Sequence, residues 1–380
     1  MIWVAAAYFF FQLGIFVYCM WGKAKMTQLP VPGMGDLPRL TVIVPACNEE
    51  ATLERGLVSL LVMDYPELEF IVVNDRSTDR TGDILDRVAA SDDRIRPVHL
   101  KTLERGWLGK CHALYHAAKQ ARGEFVLFTD ADVRVHRGFL RQCLALMQAN
   151  RLDHLTALPK LDSQDPFLSP VLGAFFLSFT LFTRPWTAKD PKSKNALGVG
   201  AFNLVRKSAY DTVGGHRPIR LRPDDDLALG RLMKKNGRRT DCINGFKNVE
   251  VEWYPKLWDL VKGLEKNSFA AFDYYAIAAV LGISLNFFFF TLPFVLPFFL
   301  EGLAQATAWA AAAVLLTNYT IHLRENGLPL WCIPCLPFAG LFLGMTLTRN
   351  VCLTLLRGGI EWRGTFYSLA ELKSNRRDLA

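Results

Sequence analysis

Four long apolar stretches are the feature that most constrains the fold of this chain. Residues 1–20 contain no charged side chain, and residues 274–300 are again uncharged. Two further apolar stretches cover residues 304–321 and 328–347. A helix of about 20 such residues rises roughly 30 Å, which matches the hydrocarbon core of a bilayer. The sequence therefore predicts an integral membrane protein.

Charges beside these stretches predict an orientation. The first stretch has no basic residue before it and no small-residue cleavage site after it, which favours an uncleaved anchor at residues 1–22 over a signal peptide. Lys23 and Lys25 follow at once, so the next segment is expected in the cytoplasm. The same preference of basic residues for the cytoplasm predicts that the basic tail, residues 352–380, also lies there. The basic residues concerned are Arg349, Arg357, Arg363, Lys373, Arg376 and Arg377. We expect the plasma (inner) membrane as the location.

These two placements restrict the C-terminal membrane segments, residues 273–351. Three full spans would leave the tail on the wrong side, so one stretch should be re-entrant or interfacial. The stretch that contains Pro293 and Pro297 is the first suspect. A shorter apolar stretch, residues 166–182, predicts either an interfacial helix near an acceptor entrance or a buried core helix.

Composition narrows the class of partner. Eight cysteines in a largely cytosolic chain indicate free thiols rather than a disulfide framework. The net charge of +8 comes from scattered basic residues that cluster beside apolar stretches. That distribution favours an anionic membrane face or a phosphate-bearing substrate over nucleic acid.

The region from residue 36 to 272 alternates strand and helix signals. Such alternation predicts a mainly parallel sheet wrapped by helices, because parallel strands need crossover connections. The predicted strands are residues 40–46, 69–75, 94–100 and 124–130, and the predicted helices begin near Leu53, Thr81 and Gly109.

Polar residues follow the predicted strands. Asn48 and Glu49 follow the first, Asp75 ends the second, and Asp130 and Asp132 end the fourth. In sheets of this kind ligands bind beyond the carboxyl ends of the strands. We therefore expect these five residues to gather at one edge.

The pair Asp130 and Asp132 predicts a cation site. Two carboxylates after a buried strand repel each other unless a positive charge neutralises them, and carboxylate oxygens suit Mg²⁺ or Mn²⁺. The chain has no GxxxxGK[ST] sequence and no GxGxxG after its first strand, so metal rather than a glycine-rich loop would hold a phosphate. A solvated turn is the alternative.

Two further groups are candidates. Lys110 opens a predicted helix, where free amides and the helix dipole favour an anion such as a diphosphate. The alternative is an exposed first-turn lysine. Asp224, Asp225 and Asp226 precede an amphipathic helix and can simply cap it. Crowded carboxylates near a pocket can instead raise the proton affinity of one of them and leave a general base.

In their order along the chain, these motifs resemble the inverting glycosyltransferases of family 2, with the A-type α/β fold. The motifs are TVIVPACNEE, VNDRSTDRTGDI, GWLGKCHAL, TDAD and DDDLALGRL. The resemblance implies that Asp75 binds the base of a nucleotide sugar, with Pro45, Asn48 and Glu49. It implies that Asp132 and Asp130 engage Mg²⁺ or Mn²⁺ on the diphosphate, beside Lys110. Asp226 would then be the general base, with Asp225 in the place usually held by glutamate.

The layout of anchor, catalytic domain and C-terminal apolar segments is similar to the branch that glycosylates lipids, including ceramide and carotenoid-acid glycosyltransferases. That similarity implies a membrane lipid acceptor in the bilayer and a nucleotide-sugar donor, with a UDP-sugar as first candidate. Polysaccharide synthases and ceramide glucosyltransferases of the family carry Q or R, two residues, then RW after the base. Residues 258–269 read WDLVKGLEKNSF instead. A processive synthase and a catalytically inactive scaffold remain as alternatives.

Overall fold

The computed structural model describes residues 1–31 and 37–375. The basic-tail residues Arg376 and Arg377 fall outside the described residues. The chain forms two compact units. A sheet unit comprises Met26–Lys160, Pro185–Glu252 and the chain from Ser374, and a helical unit comprises Met1–Lys25, Leu161–Arg184 and Trp253–Lys373.

The sheet unit is built on a seven-stranded mixed sheet. Its strands are β1 Leu40–Ala46, β2 Leu68–Asp75, β3 Ile95–Leu100, β4 Phe125–Phe128, β6 His154–Leu158, β8 Asn203–Arg206 and β9 Thr240–Asn244. The order is β3-β2-β1-β4-β8-β6-β9. Strands β3, β2, β1 and β4 are parallel, and β8 runs antiparallel to both of its neighbours. The prediction of a mainly parallel α/β sheet is confirmed.

The remaining elements of this unit surround that sheet. A second sheet has the order β5-β10-β7, with β5 Val133–Val135, β7 Lys160–Leu161 and β10 Val249–Val251. The helices are α2 Leu53–Leu61, α3 Thr81–Ala89, α4 Gly109–Gln120, α5 Phe139–Ala149, α7 Lys207–Thr212 and α8 Asp225–Lys235.

The core of the sheet unit forms between the parallel strands and the helices α4 and α8. Ile43, Ile71 and Val126 lie on one face of the sheet and are fully buried. The small residues Ala113 and Ala117 let α4 approach that face closely. Burying side chains of this size contributes about 1.5–3 kcal/mol each. The packing fixes the start of α4 at the carboxyl edge of the sheet.

One strand is shorter than the sequence predicts. The fourth strand was expected to reach Asp130, but β4 ends at Phe128, where its antiparallel neighbour β8 begins at Asn203. The chain then turns and enters β5 at Val133. Asp130 and Asp132 therefore lie in the connection between two sheets rather than on a strand.

The helical unit holds the apolar segments. Its elements are α1 Ile2–Lys25, α6 Leu168–Thr183, α9 Leu257–Gly263, α10 Glu265–Ser268, α11 Ala276–Phe290, α12 Leu292–Val295, α13 Gly302–Glu325, α14 Leu336–Arg357, β11 Gly359–Trp362, β12 Thr365–Ser368 and α15 Leu369–Ser374. Among the described residues, three helical segments are long and apolar enough to cross a membrane: Ile2–Lys25, Ala276–Phe299 and Leu330–Arg357.

The apolar segments of this unit differ in part from the expected membrane crossings. The segment with Pro293 and Pro297 was the first suspect for a stretch that does not cross, yet by length and composition it qualifies as a span. The helix α13 falls short instead, because alanine and polar residues lower its hydropathy. Helix α6 packs against α13 and α14 with eleven of its sixteen residues buried, as the buried-core alternative expects.

Helices α1 and α13 lie side by side in the helical unit. Ala5 packs with Ala304 and Ala308 at one end, and the Lys23 ammonium donates to Glu325 over 2.6 Å at the other. The two helices are therefore parallel over their whole length. Small residues at the first contact allow the backbones to approach, as in other membrane helix pairs.

Candidate active site

The loops after β1 and β2 are tied together at the carboxyl edge of the sheet. The side-chain oxygen of Asn48 accepts the Thr78 amide over 2.8 Å, and the Glu49 amide donates to the Thr81 hydroxyl over 2.8 Å. Asn48 has a positive φ of 56°, a conformation that asparagine tolerates better than most residues. The contacts place Asn48 and Glu49 beside the end of β2.

Asp75 ends β2 in a buried position. Its carboxylate accepts two bonds from the Arg76 guanidinium, at 2.8 and 3.0 Å. A Cβ at Gly109 would lie 2.5 Å from Asp75 Oδ2, so a larger residue there would displace that carboxylate. Asp75 therefore lies directly against the first residue of α4.

Lys110 connects the turn after β4 with the start of α8. Its ammonium lies 2.8 Å from Asp130 Oδ1 and 3.6 Å from Asp225 Oδ1. Burial alone would lower the pKa of Lys110, but Asp130, Asp225 and Asp226 together raise it. The lysine is held in its charged form by three carboxylates from two separate segments.

Asp226 is oriented by two backbone amides. Gly200 N–H donates to its Oδ2 over 2.7 Å, and Leu227 N–H donates to its Oδ1 over 2.8 Å. Burial raises the pKa of the Asp226 carboxyl, and Lys110 partly offsets the rise. A carboxylate with raised proton affinity and fixed geometry suits a general base.

Asp224 has a different environment from Asp226. Its carboxylate receives two bonds from the buried Arg222 guanidinium, at 2.8 and 2.7 Å. Removing one partner of such a buried pair costs about 3–5 kcal/mol. Asp224 thus stabilises the turn that leads into α8.

Asp132 lies close to other carboxylates. Its pKa is raised to about 7, chiefly by burial and then by Asp130 and Glu49, while Lys110 opposes the rise. A divalent cation would stabilise the ionised form, and hard carboxylate oxygens are suitable ligands. Asp130 and Asp132 could therefore hold Mg²⁺ or Mn²⁺, with the remaining coordination left to water or phosphate oxygens.

One cavity collects several of these groups. Asp75 and Asp132 are not among its lining residues. The lining residues are Pro45, Lys110, Leu114, Phe128, Thr129, Asp130, Gly200, Asn203, His216, Asp225 and Asp226.

Six lining residues were not among the sequence candidates, and Gly200, Asn203 and His216 are three of them. Gly200 and His216 belong to a segment whose small residues suggest close approach to a ligand, but no local pattern singles them out. His216 accepts from, or donates to, the Tyr210 hydroxyl at 2.7 Å, and burial lowers its pKa to about 3. Asn203 contacts His154 and not the carboxylates.

Comparisons with known proteins agree with this geometry. Residues 41–214 match the family model "Glycosyl transferase family 2". The chain is 35% identical over 135 residues to "Probable glycosyltransferase YdaM" of Bacillus subtilis (strain 168), a match that covers 35% of this chain and 32% of that protein. The chain thus matches only about a third of that relative's length.

Two other similarities extend over most of the chain. The first is 23% identity over 352 residues to "4,4'-diaponeurosporenoate glycosyltransferase" of Staphylococcus aureus (strain USA300), covering 87% of this chain and 89% of that protein. The second is a solved structure, "Mannosyltransferase PcManGT from Pyrobaculum calidifontis in complex with GDP-Man and Mn2+". It aligns with a TM-score of 0.56 at 20% identity, over 93% of this chain and 98% of that chain. Residues 41–214 thus match the glycosyl transferase family 2 model, and the mainly parallel α/β fold of the chain is similar to that of the mannosyltransferase.

Proposed function

We propose that this protein is an inverting hexosyltransferase that moves one sugar from a nucleotide-sugar donor to a lipid in the membrane. The observation that carries the proposal is the convergence of Lys110, Asp130, Asp225 and Asp226 on one cavity. These groups come from three distant segments, and their shared cavity combines a fixed cation with a carboxylate of raised proton affinity.

The donor would lie along the carboxyl edge of the sheet. Asp75 would bind the nucleotide base, with the segment that contains Pro45, Asn48 and Glu49 beside it. Asp130 and Asp132 would hold the cation, which, when bound, supplies positive charge to the departing diphosphate. Lys110 would add a second positive charge there, since it already lies 2.8 Å from Asp130. Charge stabilisation of this kind is commonly the largest contribution to transfer rates.

Asp226 would accept the proton of the acceptor hydroxyl. Its two backbone hydrogen bonds hold the carboxylate in place, and its raised pKa favours proton uptake. Asp225 would act beside it by orienting Lys110. A single in-line displacement at the anomeric carbon would then invert its configuration.

Support for a lipid acceptor comes from the helical unit. Three segments could cross a membrane, and the relative that matches along most of the chain is named for a carotenoid-acid acceptor. The nucleotide is open to test. A UDP-sugar is the first candidate from the sequence, while the mannosyltransferase with a similar fold was solved with GDP-Man and Mn²⁺.

The test uses the full chain in nanodiscs with Mg²⁺ or Mn²⁺, UDP- and GDP-sugars, and a lipid extract of the source membrane. Mass spectrometry should detect a lipid heavier by one sugar residue, and chelation of the cation should abolish it. A ladder of long products would identify a polysaccharide synthase instead. Absence of any transfer with every donor would favour the inactive scaffold.

The role of Asp226 has its own test. We expect Asp226→Asn to retain donor binding and to lower transfer by at least about 100-fold, because loss of a general base typically costs 10²–10⁴-fold. Donor binding is measured by calorimetry and transfer by nucleotide release. Asp93→Asn, an exposed aspartate in another loop, is the matched control. Transfer at the wild-type rate by Asp226→Asn would move the base to another residue.

A further inference from the structure

A second group of possible metal ligands lies outside the cavity just described. Glu104 is in the loop between β3 and α4, and His112 and His116 are on α4, one turn apart. Their ligand atoms all lie within 4.8 Å of one another. Residues four apart on a helix project from the same face, so both imidazoles can reach one ion.

The separations of these ligand atoms suit a small transition-metal ion. Glu104 Oε1 lies 3.6 Å from His112 Nε2 and 3.5 Å from His116 Nε2. Bonds of about 2.0–2.1 Å to zinc at tetrahedral angles put neighbouring ligand atoms about 3.3–3.4 Å apart. The two distances from Glu104 are therefore already close to those of a zinc site.

His112 supplies an independent sign of a missing partner. Its side chain is 4% exposed, and neither ring nitrogen has a hydrogen-bond partner among the described residues. A buried polar side chain without a partner costs about 1–3 kcal/mol. The distance of 3.6 Å to Glu104 is too long for a hydrogen bond, but it leaves room for an ion between them.

An aromatic ring shields the cluster on one side. Trp107, whose ring centroid lies 5.8 Å from that of His112, covers it there.

We propose that Glu104, His112 and His116 form a binding site for Zn²⁺ or a similar transition-metal ion, separate from the Asp130 and Asp132 pair. Two imidazole nitrogens and one carboxylate oxygen favour such ions over Mg²⁺. The ion joins the β3–α4 loop to the helix that also carries Lys110. The inference is independent of the transfer reaction, because its ligands and its test do not involve substrates.

The experiment uses the metal-stripped full chain in nanodiscs with saturating Mg²⁺, which occupies the carboxylate pair. Titration with Zn²⁺ is followed by calorimetry, and titration with Co²⁺ by visible absorption. We expect one equivalent of Zn²⁺ and the absorption of four- or five-coordinate Co²⁺. Loss of a residue that only supports a metal ligand weakens binding by up to about 100-fold. Because His116 would be a ligand itself, His116→Ala should weaken Zn²⁺ binding by more than that.

The controls keep the result interpretable. His116 is partly exposed, so its substitution tests the site with less effect on packing than one at His112. Glu104→Gln, at an exposed side chain, should also weaken binding, whereas the exposed His136→Ala should bind like the wild type. Zn²⁺ should raise the Tm of the wild type and not that of His116→Ala. Equal Zn²⁺ binding by the wild type, His116→Ala and Glu104→Gln would overturn the proposal.

Discussion

Gly200 brings two carboxylates to the same point of the candidate site. Its amide donates to Asp226, and a Cβ at this position would lie 2.7 Å from Asp130 Oδ2 and 3.5 Å from Asp226 Oδ2. A methyl group there must displace the Asp130 carboxylate, which pairs with Lys110. Glycine is therefore required here by the nearby carboxylates of the site, and not by the backbone conformation of a turn.

From this geometry we expect Gly200→Ala to fold normally and to lose about 100-fold in transfer rate, the size of loss that a 1 Å misplacement can cause. Transfer is measured with the nanodisc assay, and the Tm reports the fold. Gly14→Ala is the matched control, since nothing lies within 4 Å of a Cβ there. Wild-type transfer by Gly200→Ala would show that the position of Asp130 does not matter.

At the scale of strands and helices, the sequence predicts the first half of the sheet well. Strand β1 has the predicted bounds, and β2 begins one residue early, because strands buried on both faces appear as continuous apolar runs between turn residues. The short antiparallel β8 has no such run. It is defined by its neighbours β4 and β6, which lie about 80 and 50 residues away in sequence.

The candidate site likewise has residues that the local sequence predicts and contacts that it does not. Residues that follow predictable strands, such as Asp75, are placed at the sheet edge by topology. The pairing of Lys110 with Asp130 and Asp225 depends on how α4 packs on the sheet, which no local pattern encodes. The bonds from Gly200 and Leu227 to Asp226 likewise appear only in three dimensions.

The antiparallel pair β6 and β8 carries a buried titratable group. His154 Nε2 lies 2.5 Å from Asn203 Oδ1, and burial lowers the pKa of His154 to about 4. In the unfolded chain the value is about 6.5. Between these values the unfolded state binds a proton that the folded state does not. The stability from neutral His154 is thus full above about pH 6.5 and is lost as the pH falls towards 4.

We expect protonation of His154 to lower the free energy of unfolding by up to about 3 kcal/mol in acid. Each unit of difference between the unfolded and folded pKa values contributes about 1.4 kcal/mol. Thermal unfolding of the full chain between pH 7.5 and 4.5 measures it. His154→Gln should lower the Tm at neutral pH and flatten its decline towards acid. His136→Gln, an exposed histidine, should keep the wild-type slope. Parallel slopes for His154→Gln and the wild type would contradict the prediction.

At the scale of the whole molecule, contacts within the helical unit suggest which segments cross the membrane. Because α1 and α13 are parallel along their full length, α13 should cross wherever α1 does, although its composition alone does not qualify it. Ala304 and Ala308 of α13 pack on Ala5 of α1. The segment Ala276–Phe299 must then cross in the opposite direction to connect the two sides.

Helix α14 runs against α11 in the same unit. Gly340 and Gly344 pack on Phe290 and Phe287 of α11, and Arg349 and Arg357 pair with Glu265, just before α11 begins. Helix α14 is therefore antiparallel to α11 and ends on the side where α11 starts. We expect the tail that follows α14 on that same side, as the charge rule predicts.

Single-cysteine variants in a cysteine-free background test this topology. Lys25 and Arg324 are in the last turns of the parallel helices α1 and α13. We expect Lys25→Cys and Arg324→Cys to react with a membrane-impermeant maleimide only after the cells are opened. Glu301→Cys, at the start of α13, should react in intact cells. All three side chains lie at exposed positions, so reactivity reports the side of the membrane. If Arg324→Cys and Glu301→Cys react together from one side, α13 does not cross with α1, and Leu330–Arg357 becomes the third span.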